Sequence, residues 1–207
     1  MSYERLRERY ANGETPWDHE LPPPEVIAML SHLPPGRALD LGCGYGRAAI
    51  YMAQQGWQVD AIDFIDLAIV GARQRAEQAG VLDQIQFHVG SVTDLHYLTG
   101  PYDFALDVGC MHNFDHEMLQ AYRDEVARLL RPDGHYLLFA HLRAEPIEYD
   151  SNGRPRWLPE LLLYDLFTAD FYLDQVEHGQ TQMPDQAPWS SAWFWFRRRH
   201  NEPAHPL

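Results

Sequence analysis

The stretch LDLGCGYGR, residues 39–47, decides the fold. Its first residues end an apolar run that starts at Arg37, and its last residue opens the amphipathic stretch RAAIYMAQQG. A buried strand, a glycine turn and a helix fit that order. Gly42, Gly44 and Gly46 let the backbone turn tightly and approach a ligand closely. In open α/β sheets ligands bind at the carboxyl ends of strands, where this turn falls. The dinucleotide fingerprint G-x-G-x-x-G needs a glycine at position 47, and Arg47 stands there instead.

Outward from the turn, short β-like runs alternate with amphipathic stretches. The pattern predicts a helix over 24–32 opened by Pro24, a strand over 37–42, and a helix over 46–56 closed by Gly56. It then predicts a strand over 57–63, a helix over 66–80 closed by Gly80, and strands over 85–90 and 102–109. A helix over 116–134, stopped by Pro132 and Gly134, and a strand over 135–142 follow. This alternation implies βαβ units and a mostly parallel sheet. The end differs: 158–168 reads as a helix, then FYLDQVEHGQ and SAWFWFRRR read as two strands with no helix between. Such strands pair antiparallel. AWFWF lacks polar alternation, as expected of a strand covered on both faces. Residues 143–157 form the longest irregular insert. The expectation is one domain over 1–207, with an N-terminal arm or lid (1–33), a cofactor-binding core (34–142) and a substrate-side insert with closing strands (143–207).

The formal net charge of −14 disfavours nucleic acid and anionic membranes, which both need a positive patch. Arg197, Arg198 and Arg199 are the one basic cluster and read as a strand end needing solvation. All 16 positive residues are arginine. The absence of lysine excludes a P-loop lysine and a lysine Schiff base. Cys43 and Cys110 make no disulfide framework, and a cytoplasmic chain is expected. The charged start MSYERLRERY is not a secretory signal, and no apolar run nears the ~20 residues of a membrane span.

Asp40, two residues before the first glycine, disfavours a pyrophosphate and favours a cofactor with a positive amino-acid end. S-adenosylmethionine carries an ammonium and a sulfonium. Asp63 ends the second strand and suits two ribose hydroxyls, a feature that dinucleotide sites share. Phe64 would then lie near adenine, with Ser91 and the Val92 amide at the adenine edge. Asp94 is a nearby acid that equally suits a turn cap.

LDLGCGYGR, VDAID, GSVTDL and YDFALDVGC, in this order, resemble the class I S-adenosylmethionine-dependent methyltransferases. The likeness covers roughly residues 15–140 by motif and the rest by element order. It implies a Rossmann-like, seven-stranded, mostly parallel sheet with an antiparallel last strand, with S-adenosylmethionine as cofactor. The activity it implies is methyl transfer, in line with the carbon–sulfur bond. ETPWDHELPPPEVIAML, residues 14–30, resembles the TPWD segment of the thiol, halide and thiopurine methyltransferase-like group. That likeness places Trp17 against the cofactor, with Thr15 or Asp18 nearby. Pro16 and Trp17 would alternatively pack the arm onto the domain.

The acceptor is expected above the fourth strand, against DVGCMHNFDHE (107–117). His112 is the candidate base, since histidine titrates near neutral pH; otherwise it is a loop residue shaping the pocket. Asp107 would meet the methionine end of the cofactor or cap the strand. Asn113 and His141 are further pocket candidates, and Tyr45 and Trp157 would wall the acceptor. His112 and His116 share i, i+4 spacing beside Cys110, but a fourth ligand has no owner, so no metal is expected. Cys43 reads as small filler. The charge favours a small-molecule acceptor. A nicotinamide-dependent oxidoreductase and a non-catalytic S-adenosylmethionine-binding module are the competing readings.

Overall fold

The computed structural model describes residues 3–143, 147, 156–182 and 187–200. In chain order they form helices α1 (Tyr3–Ala11) and α2 (Pro24–Ser31), strand β1 (Arg37–Leu41), helix α3 (Arg47–Gln54) and strand β2 (Gln58–Asp63). Helix α4 (Asp66–Gln78) and strands β3 (Ile85–Val89) and β4 (Tyr102–Val108) follow. The chain continues with helix α5 (His116–Leu129), strand β5 (Leu130–His141), helix α6 (Glu160–Phe167) and strands β6 (Phe171–Thr181) and β7 (Trp189–Arg198).

The seven strands form one sheet in the order β3-β2-β1-β4-β5-β7-β6. Neighbours from β3 to β5 are parallel, while β7 is antiparallel to both β5 and β6. Strand parity sorts the side chains onto two faces. Ala38, Phe104, Leu106 and Leu137 pack under α2, α3 and α4, where Val26, Ala49 and Ile69 meet them. Leu39, Leu41, Ala105 and Leu138 face α5 and α6, against Tyr122, Val126 and Phe167. The run AWFWF is covered on both faces and inserted between β5 and β6, as its lack of alternation predicts.

Three features depart from the sequence pattern. Residues 3–11 are helical, held by Leu6 and Tyr10 on Ile65 and Ala68. Helix α5 stops at Leu129, and the strand begins at once, with Leu130 extended and paired to Tyr102. Pro132 accounts for this, because it biases Arg131 away from helical geometry. The arginine cluster is internally bonded rather than a solvated end. Arg197 bridges Asp174 and Asp133, Arg198 is buried against the Ala127 and Asp170 carbonyls, and Arg199 donates to the Phe171 carbonyl. Most of the insert expected at 143–157 lies outside the described residues.

Candidate active site

The strand order reverses between β1 and β4, which opens a crevice at their carboxyl ends. A cavity there is walled by Asp40, the turn Gly42–Tyr45, Arg47, Ala48 and Val108, and is closed by Tyr10, Trp17 and Asp18. Gly42 and Gly44 hold φ of 75° and 57°. A Cβ at 42 would stand 2.6 Å from that of Cys110, and one at 44 would stand 3.1 Å from the Tyr10 hydroxyl. Both positions therefore favour glycine for conformation, and position 42 also for room.

Asp63 fastens the turn. Its Oδ2 accepts the Gly44 N–H at 2.9 Å and its Oδ1 accepts the Ile65 N–H at 2.9 Å. Burial pushes its carboxyl up despite these bonds. A carboxylate offers about four acceptor sites, so the Gly44, Ile65 and Phe64 N–H groups do not exhaust it. Asp40 is 3% exposed and accepts the Ala49 N–H at 3.0 Å. Burial pushes its carboxyl up to about 7, with Arg47 pulling the other way.

Asp107 does not reach this cavity. Its side chain is fully enclosed on the opposite face of the sheet and accepts from the Cys110 and Met111 N–H groups and from the Tyr122 hydroxyl. Parity explains the difference: Asp107 follows Ala105 towards α5, whereas Asp40 follows Ala38 towards α3. Asp107 thus ties down the loop after β4 rather than meeting a cofactor.

The N-terminal segment packs over the turn. The Tyr10 and Tyr45 rings meet edge to face at 5.0 Å, and Trp17 meets Tyr10 at 6.1 Å. Asp18 takes both Arg75 guanidinium N–H groups, at 3.0 and 2.7 Å, and the same guanidinium lies 4.4 Å over Tyr45. Gly71 makes room for that ring, since a Cβ there would meet it at 2.5 Å. Tyr45 therefore belongs to this cavity, which Trp157 does not line. Phe64 is half-exposed against Tyr3. Ser91 is exposed and bonded to Thr93, and the Val92 side chain is buried, so Val92 can offer a ligand only its main chain.

A second cluster forms beyond β4 and β5. His112 is buried and stacks on His141 at 4.3 Å. Trp157 and Trp189 each meet His141 edge-on, at 4.6 and 5.4 Å. Trp157 holds φ of 62°, a left-handed conformation costly for a bulky residue. The His112 Nδ1 accepts the His141 backbone N–H at 3.4 Å, so the proton of the neutral ring sits on Nε2. Burial holds the His112 pKa well below the usual histidine value. His112 is thus enclosed in this cluster with its Nδ1 already occupied. Burial, with Arg156 nearby, lowers His141 to about 4. Exposed His116 opens α5, apart from buried His112. Among the described residues no group of three or more His, Cys, Asp or Glu could hold a metal. The side chain of Asn113 is outside the described set.

Residues 38–134 match the family model described as a methyltransferase domain. A 2-heptyl-1-hydroxyquinolin-4(1H)-one methyltransferase of Mycobacteroides abscessus is 25% identical over 130 residues, covering 62% of this chain and 57% of the relative. An uncharacterized methyltransferase of Synechocystis is 30% identical over 120 residues, covering 58% and 52%. The chain spans about half the length of these curated relatives. Among solved structures, the Burkholderia thailandensis 1,6-didemethyltoxoflavin-N1-methyltransferase, crystallised with S-adenosylhomocysteine, superposes with a TM-score of 0.78. It is 24% identical, and the match covers 96% of this chain and 87% of that one. The strand order and its reversed β7 agree with that match. The chain has the class I methyltransferase fold.

On this methyltransferase fold the structure brings Trp17, Asp40, Gly42 and Gly44 around one cavity. Asp63 reaches it through Gly44, while Phe64, Ser91 and Val92 stand beyond the carboxyl ends of β2 and β3. Tyr10, Arg143 and Trp189 were not anticipated. Tyr3, Leu6 and Tyr10 carry an i, i+3, i+7 stripe that could have revealed α1. Arg143 and Trp189 carry no local signal.

Proposed function

We propose that this chain is an S-adenosylmethionine-dependent methyltransferase acting on a small-molecule acceptor in the cytoplasm. The observation that carries the reading is the Asp63–Gly44 clamp: a carboxylate with spare acceptor sites, set beside a left-handed glycine turn. The residues present fit the cofactor. Burial leaves Asp40 reluctant to ionise, and a cation beside it offsets that cost. A pyrophosphate there would raise the cost. Arg47 fills the position where a dinucleotide site needs its third glycine.

When bound, S-adenosylmethionine supplies an electrophilic methyl carbon on a sulfonium sulfur. The chain's part is to bind, orient and exclude water. Asp63 and the turn hold the nucleoside side, with Phe64, Ser91 and the Val92 main chain at the adenine. Asp40 balances the positive charge. Tyr10 and Trp17 cover the cavity, and for Trp17 such a cover is what the likeness of the TPWD segment to the thiol, halide and thiopurine group implies. The acceptor stands on the side of His112, His141 and Trp157. Two of the three similar proteins are named for a small heterocycle, which supports a small-molecule acceptor. Nucleic acid and membrane are not partners in this reading: the net charge is −14, and no described helix is long and apolar enough to cross a membrane. Two free thiols, Cys43 and Cys110, suit a reducing compartment.

Calorimetric titration with S-adenosylhomocysteine, with NADH as control, tests this reading. Binding of S-adenosylhomocysteine alone is expected. Binding of NADH alone overturns the reading in favour of an oxidoreductase.

A further inference from the structure

We infer that Arg47 takes the α-carboxylate of the cofactor, so that the cavity at the glycine turn selects an intact amino-acid end, carboxylate and ammonium together. This rests on the S-adenosylmethionine reading and assigns a residue to which that reading gives no contact.

The first observation is position. Arg47 opens α3 and lines the cavity beside Asp40 and Asp18. It is the one cation among the described residues that line it. The N–H groups of a helix's first turn carry partial positive charge, so this position suits an anion and disfavours an arginine. The first turn of α3 holds no acid to offset that cost. A ligand carboxylate would offset it.

The second is partnering. The Arg47 side chain is half-buried, yet its one hydrogen bond is long, from Nη1 to the Leu21 carbonyl at 3.4 Å. Its Nε and Nη2 atoms bond nothing among the described residues and are not shut off from solvent. The neighbouring arginine on α4 behaves differently, since Arg75 places two N–H groups on Asp18 and so takes up that carboxylate. Burial lowers the Arg47 pKa, while Asp40 and then Asp18 pull it up. The guanidinium keeps its charge in either case, and its planar fork of donors matches the two oxygens of a carboxylate.

The third is charge balance. Asp40 and Arg47 meet at the same end of α3, because Asp40 accepts the Ala49 N–H two residues further on. One cavity thus offers a buried acid and a cation with open donors. A pyrophosphate would set two negative charges beside Asp40. A lone ammonium would face Arg47 as a like charge. An amino-acid end brings one charge of each sign and answers both.

The test is calorimetry on the full chain with two ligands. One is S-adenosylhomocysteine. The other is decarboxylated S-adenosylhomocysteine, which keeps the ammonium and lacks the carboxylate. We expect the parent to bind the first at least tenfold more tightly, which is about 1.4 kcal/mol. Arg47→Gln should lose at least tenfold towards S-adenosylhomocysteine and less than twofold towards the decarboxylated ligand, whose retained binding also shows that the variant is folded. Arg47→Lys keeps the charge without the fork and should cut the preference at least threefold. A parent that does not discriminate overturns the inference, as does a parent-like preference in Arg47→Gln. Equal losses on both ligands overturn it too, because they mark an arginine that only fastens the arm at Leu21. If Arg47→Gln does not fold, an undiminished preference in Arg47→Lys overturns the inference and a diminished one upholds it. A parent that binds neither ligand overturns the cofactor reading itself, and this assignment with it.

Discussion

Asp40→Asn should make the protein more stable and its cofactor binding worse. The folded chain raises the Asp40 carboxyl from 3.8 to about 7, chiefly by burial. A folded-state pKa above the unfolded one means that folding takes up a proton between the two values. The stability contributed by Asp40 is therefore fully present below pH ~4 and is lost as the pH rises through 7. A shift of about three units corresponds to roughly 4 kcal/mol, a ceiling reached only at alkaline pH. Asparagine keeps an oxygen for the Ala49 N–H and never ionises. After about 1 kcal/mol for imperfect amide hydrogen bonding, the variant should gain roughly 2–3 kcal/mol over the parent at pH 8.5 and little or nothing at pH 5.5. Urea unfolding at the two pH values reads this difference. In the same samples S-adenosylmethionine should lose about tenfold or more in affinity, whereas S-adenosylhomocysteine, which lacks the sulfonium charge, should lose less. If Asp40→Asn is no more stable than the parent at pH 8.5, the burial cost has been misjudged. If both ligands lose equally, Asp40 does not answer the sulfonium.

Three further substitutions probe the same cavity. Asp63→Ala leaves the Gly44 and Ile65 N–H groups without their acceptor and should cost about 2–4 kcal/mol in urea unfolding, with at least tenfold weaker S-adenosylhomocysteine binding by calorimetry. Arg75→Gln breaks the exposed Asp18 pair and should change stability by less than about 1 kcal/mol, yet weaken S-adenosylhomocysteine binding severalfold by loosening the arm. Gly71→Ala sets a methyl 2.5 Å from Tyr45, so it should cost about 1–3 kcal/mol and reduce the same affinity. Thermal melts with and without ligand would separate the two losses.

The sheet was legible because its strands carry apolar runs and its helices end at glycines such as Gly56 and Gly80. The glycine turn announced the ligand crevice for the same reason. Helix α1 was overlooked because charged residues crowd its short stripe of Tyr3, Leu6 and Tyr10. The end of α5 was hidden because VARLL (126–130) stays helical in pattern until Pro132 acts backwards on Arg131. Asp40 and Asp107 look alike in sequence, each near the end of a strand, but strand parity sends them to opposite faces. The cluster of Arg143, Trp157 and Trp189 depended on a register that no local pattern encodes. His141 pairs with Ser191, and the Leu142 N–H bonds the Ser190 carbonyl, which brings Trp189 alongside Arg143.

The insertion of β7 between β5 and β6 bears on how the chain is made. Of the seven strands, β7 leaves the ribosome latest, yet it is the one that joins β6 to the rest. Strands β1 to β5 can assemble the donor crevice while the chain is still growing. During that interval β5 keeps an open edge and β6 has no partner, the situation in which nascent chains pair wrongly. Strand β6 is suited to the wait, since Asp174, Glu177 and His178 along it resist pairing with a foreign strand. The wall that carries Trp189 arrives with the closing strand, so the cluster of Trp157, Trp189 and His141 is completed only after the crevice between β1 and β4.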